Sequence, residues 1–99
     1  MISVSVRYIV KNECSEQFLK RISEHAKTTF IKEEECIFFD YCKKQDAENE
    51  FFVYEIYKSV DGLENHKQSD HSKAFSNDVK DWLIERSLTV WDRVGSGGQ

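Results

Sequence analysis

The groups with chemistry to offer are three histidines, one glutamate inside an apolar strand, and a set of aromatic residues. His66 and His71 stand five residues apart, on either side of Ser69-Asp70. Imidazole suits proton transfer near neutral pH. In one continuous helix, five residues span about 500°, which would leave the two rings ~140° apart. Metal-binding pairs on a helix use four-residue spacing, and no third ligand suggests itself, so no metal is expected. A break near Ser69-Asp70 could re-aim the rings. His71, near a helix N-terminus, is expected neutral because the helix dipole disfavours a cation there. His66 has an alternative reading as a packing histidine bonded to a backbone carbonyl.

Glu55 shares a strand face with Phe51, Val53 and Tyr57. A carboxylate in that setting must find partners or change its pKa. It reads as a base or as the orienter of a histidine. It reads equally as a structural group paired to a helix end or to Arg86. Tyr57 lies on the same face, whereas Tyr54 points to the other. Either tyrosine can be a core aromatic with a satisfied hydroxyl. His25 falls near the inner stripe of the first helix and could close a pocket from that side. Phe75 and Trp82 could wall it, Arg86 could anchor an anion, and Asp40 shares a strand face with Phe38.

These groups need a scaffold, and the periodicities supply one. Ile2, Val4, Val6, Tyr8 and Val10 alternate with mostly polar residues, which predicts a strand over 2–10. Phe18, Ile22, His25 or Ala26, and Phe30 recur at helical spacing and predict a helix over 13–33, capped by Asn12 or Ser15. Lys32-Glu33-Glu34-Glu35 reads as its solvated end. Strands are expected over 36–43 and 51–58, joined as a hairpin through the polar turn 45–49. A short helix over 61–67 and a longer one over 71–86, with the stripe Phe75, Val79, Trp82 and Leu83, precede a last strand from 88 to 94.

The order β-α-β-β-α-β is the split, ferredoxin-like α+β arrangement, a four-stranded antiparallel sheet with helices on one face. The chain is 99 residues long, enough for one domain, expected over 1–94, with a disordered tail at 95–99. Large apolar groups lie on both faces of the third strand. The face without helices should therefore pack on a second copy, which predicts a homodimer.

Composition narrows the function classes. A net charge of −4 offers no electrostatic footprint for nucleic acid. No apolar run approaches the ~20 residues needed to cross a bilayer. Cys14, Cys36 and Cys42 are odd in number and follow no secretory signal, so reduced thiols in a cytoplasmic protein are expected. Only four glycines occur, three of them in the tail, so a phosphate-cradling loop is not expected and no cofactor is foreseen.

The segment Phe51-Phe52-Val53-Tyr54-Glu55-Ile56-Tyr57-Lys58, followed by Leu63, His66, Ser69 and His71, resembles the antibiotic biosynthesis monooxygenase family. Phe39-Asp40, after a helix carrying Phe18, is similar to the branch that includes the isomerase of the phosphorylated autoinducer-2 signal. The likeness extends over about residues 2–94. It implies a homodimer, a small-molecule pocket between sheet and helices in each subunit, and no metal or flavin. Haem-degrading members use an Asn on the first strand and a Trp-plus-His pair in the helical region. The first strand here has no Asn, and His66 stands where that Trp is expected, so haem degradation is disfavoured.

The resemblance implies a cofactor-independent monooxygenase acting on a phenolic or quinol-type compound. Its catalytic groups would be drawn from His66, His71, Glu55 and Tyr57. His25, Asp40, Tyr54, Phe75, Trp82 and Arg86 would hold the substrate. An isomerase of a small phosphorylated hydroxy-ketone is the first alternative, and a non-catalytic dimeric small-molecule binder is the second.

Overall fold

The computed structural model describes residues 1–98. Strand β1 (Ile2–Val10) leads through a 3-10 turn (Asn12–Cys14) into helix α1 (Ser15–Lys32). Strands β2 (Cys36–Lys43) and β3 (Glu50–Tyr57) follow, then helices α2 (Val60–Gln68) and α3 (Asp70–Val79). A second 3-10 turn (Lys80–Trp82) delivers the chain to strand β4 (Leu83–Asp92). Residues 95–98 are exposed and carry no regular element; Gln99, the last residue of the expected tail, lies outside the described residues.

The four strands form one antiparallel sheet in the order β2-β3-β1-β4. Alternation along β1 sends Val4, Val6, Tyr8 and Val10 to the helical side, where all four are buried. Phe51, Val53, Glu55 and Tyr57 of β3 join them there. On α1, Phe18, Ile22, His25, Ala26 and Thr29 form the inward stripe. The Phe18 ring centroid sits 4.9 Å from both Tyr8 and Phe51 and ties helix to sheet. The helix entry uses no side-chain cap, so neither Asn12 nor Ser15 plays that part. Phe30 falls off the stripe and is exposed, with Thr29 buried in its place.

Two serines start the short helices. Ser59 Oγ accepts from the Gly62 amide, and Ser69 Oγ accepts from the Ser72 amide. Ser69 closes α2 as well, donating its hydroxyl to the His66 carbonyl, 2.7 Å away. That joint turns the chain between α2 and α3.

Two expected boundaries move. The helix expected to reach 86 ends at Val79, and β4 begins at Leu83. The stripe through Trp82 and Leu83 is helical in spacing, but β1 needs a fourth strand beside it. Val10 pairs with Leu83, and the Lys11 amide donates to the Trp82 carbonyl at 2.9 Å. In β2, a register shift between Cys36 and Phe38 breaks the alternation. Cys36 therefore turns inward and is buried, while Phe38 and Asp40 point outward.

Candidate functional site

Three separate segments converge on the helical side of the sheet. Glu33 comes from the turn after α1, His66 from the last turn of α2, and His71 from the first turn of α3. Glu33 Oε2 lies 2.8 Å from His66 Nδ1 and 2.5 Å from His71 Nε2, so one carboxylate oxygen joins both rings. The bend at Ser69 removes the helical-phase objection, because the two histidines are on different helices. Ser69 Oγ is 3.3 Å from His71 Nε2.

Glu55 approaches His66 from the sheet. Its Oε1 is 3.8 Å from His66 Nε2 and accepts a 2.6 Å hydrogen bond from the Tyr57 hydroxyl. His66 therefore stands between two carboxylates, one at each ring nitrogen. Burial pushes the Glu55 carboxyl above its ordinary range, and the Tyr57 hydrogen bond works against that shift. Burial and the neighbouring Glu55 drive the Tyr57 phenol well above its ordinary pKa, so it stays a donor. Tyr57 is wholly buried behind Glu55 and acts through it.

His25 completes the group. Its ring stacks on Phe75 at 4.3 Å and lies 5.4 Å from His66 and 5.9 Å from His71, between ring centroids. Burial, with smaller contributions from His66, His71 and Arg21, lowers its pKa to about 3. Its Nδ1 is buried and has no hydrogen-bond partner.

His25, Glu55 and His66 border a cavity of about 70 Å³ walled by Val4, Val53, Phe39, Leu63 and Phe75, with Arg86 at its rim. Pockets for drug-sized molecules run to roughly 300–1,000 Å³. The space as it stands takes a compact molecule of few heavy atoms.

The expected site residues divide. His25, Glu55, His66, Phe75 and Arg86 border the cavity, Tyr57 is tied to Glu55, and His71 is linked to His66 only through Glu33, which like His71 lies behind the cavity wall. Arg86 does so from β4, opposite Tyr8, rather than from a helix. Tyr54 and Asp40, paired across β3 and β2, lie on the opposite face of the sheet. The Tyr54 hydroxyl donates to Ser3 Oγ at 3.1 Å, and Asp40 is exposed, so neither reaches the cavity. Trp82 leaves the site because its helix stops early; it sits in the 3-10 turn, packed against the edge of the core. The residue missed is Glu33, which reads in the sequence as part of a solvated helix end. The flanking Glu34 and Glu35 hid it; the available signal was the helical period, since Glu33 follows the buried Thr29 by four residues and continues the inward stripe of α1. Phe39, which faces Glu55 across the strand pair, was also missed as a wall.

The matches to known proteins agree with the fold. Residues 1–78 match the family model described as antibiotic biosynthesis monooxygenase. The comparison with curated proteins finds no match. Among solved structures, a Nitrosomonas europaea protein provisionally named an antibiotic biosynthesis monooxygenase is 25% identical, with TM-score 0.90, covering 96% of this chain and 100% of its own. A conserved Methanosarcina mazei protein is 23% identical, with TM-score 0.86, covering 94% of this chain and 92% of its own. A Mycobacterium tuberculosis protein is 19% identical, with TM-score 0.88 and 98% of both chains covered. The last two likenesses concern the fold alone. With the family model spanning β1 through nearly all of α3, and a split β-α-β sheet carrying the expected His and Glu residues, the chain belongs to the antibiotic biosynthesis monooxygenase family.

Proposed function

We propose that this chain is a cofactor-independent monooxygenase working as a homodimer on a small phenolic or quinol-type compound. The observation that carries the reading is His66 held between Glu33 and Glu55 at the edge of an apolar cavity. Glu33 fixes the ring through its contact with Nδ1. His66 Nε2 then takes the acidic proton of the substrate, in the manner of an imidazole oriented by a carboxylate. The electron-rich anion reacts with dioxygen at carbon. In the balanced outcome one ring C–H carbon becomes C=O and the deprotonated phenol oxygen becomes a second C=O; one atom of dioxygen stays in the product, and the other leaves as water with the ring hydrogen and the phenol proton. The apolar walls support this by excluding bulk water from the anion.

The dimer is inferred from the uncovered side of the sheet. Phe38, Phe52 and Trp91 are exposed there, and β4 is exposed along nearly its whole length. A second copy is the simplest cover for that surface.

Arg86 favours the isomerase alternative. It reaches the cavity rim, stacks over the Tyr8 ring at 5.9 Å, and makes no carboxylate pair within 4 Å among the described residues. A free guanidinium beside a small cavity suits a compact phosphorylated hydroxy-ketone.

Oxygen uptake with a panel of small hydroquinones, and proton exchange into a phosphorylated hydroxy-ketone under anaerobic conditions, separate the two. His66→Ala and Glu55→Gln should each keep the fold and lower turnover by about 100-fold or more, the low end for a lost acid–base group. Full turnover in both variants would remove these residues from any mechanism. Neither activity with any compound would leave the non-catalytic binder.

A further inference from the structure

Oxygen or nitrogen donors from three segments meet at one point, and hydrogen bonding alone does not require that set. Glu33 Oε2, His66 Nδ1 and His71 Nε2 all lie within 4.8 Å of one another. Their side chains are 13%, 9% and 15% exposed. We propose that these three atoms form a site for one divalent d-block cation of the Zn2+, Fe2+ or Co2+ kind.

Three features support it. Two imidazoles and one carboxylate are the donor set such ions take, with positions left open for water or substrate. Ions that prefer all-oxygen surroundings, such as Mg2+ and Ca2+, are poorly served by it. The spacing also suits. Donors around such an ion stand roughly 3 Å apart, given metal–ligand bonds of about 2.0–2.2 Å. Glu33 Oε2 stands 2.8 Å and 2.5 Å from the two nitrogens, and these lie within 4.8 Å of each other, so an ion would be taken up as the carboxylate swings outward and the rings turn toward it.

The second feature is the group behind His66. A ligating histidine usually directs its other ring nitrogen at a carboxylate or carbonyl, which sets the tautomer. Glu55 Oε1, held by Tyr57, lies on that side at 3.8 Å from His66 Nε2, beyond hydrogen-bond length and within reach of one on a small approach of the ring. The third is His25. Its buried Nδ1 has no partner, and its ring lies against both histidines of the triad. A cluster completed by internal hydrogen bonds would leave no such orphan. A water on the ion's open side is a partner of the right kind.

The inference concerns binding and stands apart from the reaction proposed above. The ion and the metal-free base share Glu33 and His66, so the loaded and metal-free proteins are two states of one cradle.

The test uses the full chain without a histidine tag, stripped with a chelator and desalted. Titration with Co2+ is followed by visible absorption and by calorimetry. One equivalent per chain should give a saturable d–d spectrum, be displaced by Zn2+, and leave no response to Mg2+. Zn2+ should also raise the melting temperature. Glu33→Gln and His71→Ala should each weaken Co2+ binding 10-fold or more, while Asp40→Asn on the far face should leave it unchanged. Circular dichroism checks that each variant is folded; Glu33→Asp, which keeps the charge and should bind more weakly, replaces Glu33→Gln if that variant does not fold. Absence of saturable binding would overturn the proposal. So would binding that survives in both triad variants, or a thiolate charge-transfer band that puts the ion on a cysteine.

Discussion

The two faces of the sheet handle polar groups in opposite ways. On the helical face, polar atoms are buried and joined to one another: Tyr57 to Glu55, and Glu33 to His66 and His71. On the other face, aromatic rings stand in the open and only their polar tips are tied down. Tyr54 donates to Ser3, and Trp91 Nε1 donates to Ser5 Oγ at 2.9 Å. A buried polar group without a partner loses its full hydration, so the inner face pairs most of what it holds, with His25 Nδ1 and Thr29 Oγ1 as exceptions among the described residues. The outer face keeps contact with water and can hold exposed rings, a condition that suits an interface better than a reaction. The difference teaches where chemistry belongs in this fold: pKa shifts led by burial gather on the side where water is excluded, whereas Arg7 and Glu50 on the outer face are shifted by their hydrogen bond to one another.

The contrast breaks most easily at two phenylalanines. Phe18, with no exposed surface, anchors the inner core, whereas Phe52 is 44% exposed on the outer face. Phe18→Ala should cost about 3–5 kcal/mol in urea unfolding, the usual range for an emptied aromatic site. Phe52→Glu should leave the fold intact, as read by circular dichroism, and shift a dimer to monomer in light scattering. Similar stability losses at both positions would erase the distinction between the faces.

A smaller effect is expected at Gly62. A Cβ there would lie 2.6 Å from Glu35 Cβ, where α2 meets the start of β2. Gly62→Ala should cost roughly 1–3 kcal/mol from overpacking and displace α2 with His66, lowering turnover and Co2+ affinity together. Unchanged stability and unchanged binding would show that the helix seat is looser than drawn.

The tyrosine pair gives a sharper version of the comparison. Tyr57→Phe leaves a buried carboxylate without its donor and should cost roughly 1–3 kcal/mol. Tyr54→Phe loses a half-exposed hydroxyl contact and should cost less than about 1 kcal/mol. Chemical denaturation of the two variants side by side decides it.

An effect that vanishes at neutral pH is expected at His25. Its folded pKa of about 3 lies below the ordinary value of 6.5. Above pH 6.5 the ring is neutral in both states and contributes nothing. Below that, the unfolded chain takes up a proton that the folded protein refuses, so stability falls as pH drops from 6.5 toward 3. At pH 5 the loss should reach at most about 2 kcal/mol, from roughly 1.4 kcal/mol per pH unit. His25→Phe should flatten this part of the acid limb, and an unchanged pH slope would mean that the folded ring is protonated after all.

Local periodicity was enough for most of the scaffold. Alternation in β1 and β3 and the stripe of α1 predict both the elements and which side chains face inward, since each depends on neighbours a few residues away. The inward set that follows, Glu55, Tyr57, His25 and Phe75, is the inner part of the site. Errors began where an element answered to a distant partner. Helix spacing through Trp82 and Leu83 is real, yet β1 claims those residues for pairing. The irregular step at Cys36 and Phe38 has no mark in the residues themselves, and it turned Asp40 away from the cavity.

By itself, the chain of residues determined a four-stranded α+β scaffold of known order and which polar groups would be hidden on its inner face. Only the tertiary structure decided that Glu33 meets His66 and His71, 33 and 38 residues further along. That meeting depends on where α1 stops, how α2 sits on the sheet, and how sharply Ser69 turns the backbone. Hydrophobic patterns report burial, but they carry no information about which buried or half-buried polar atoms end within reach of one another.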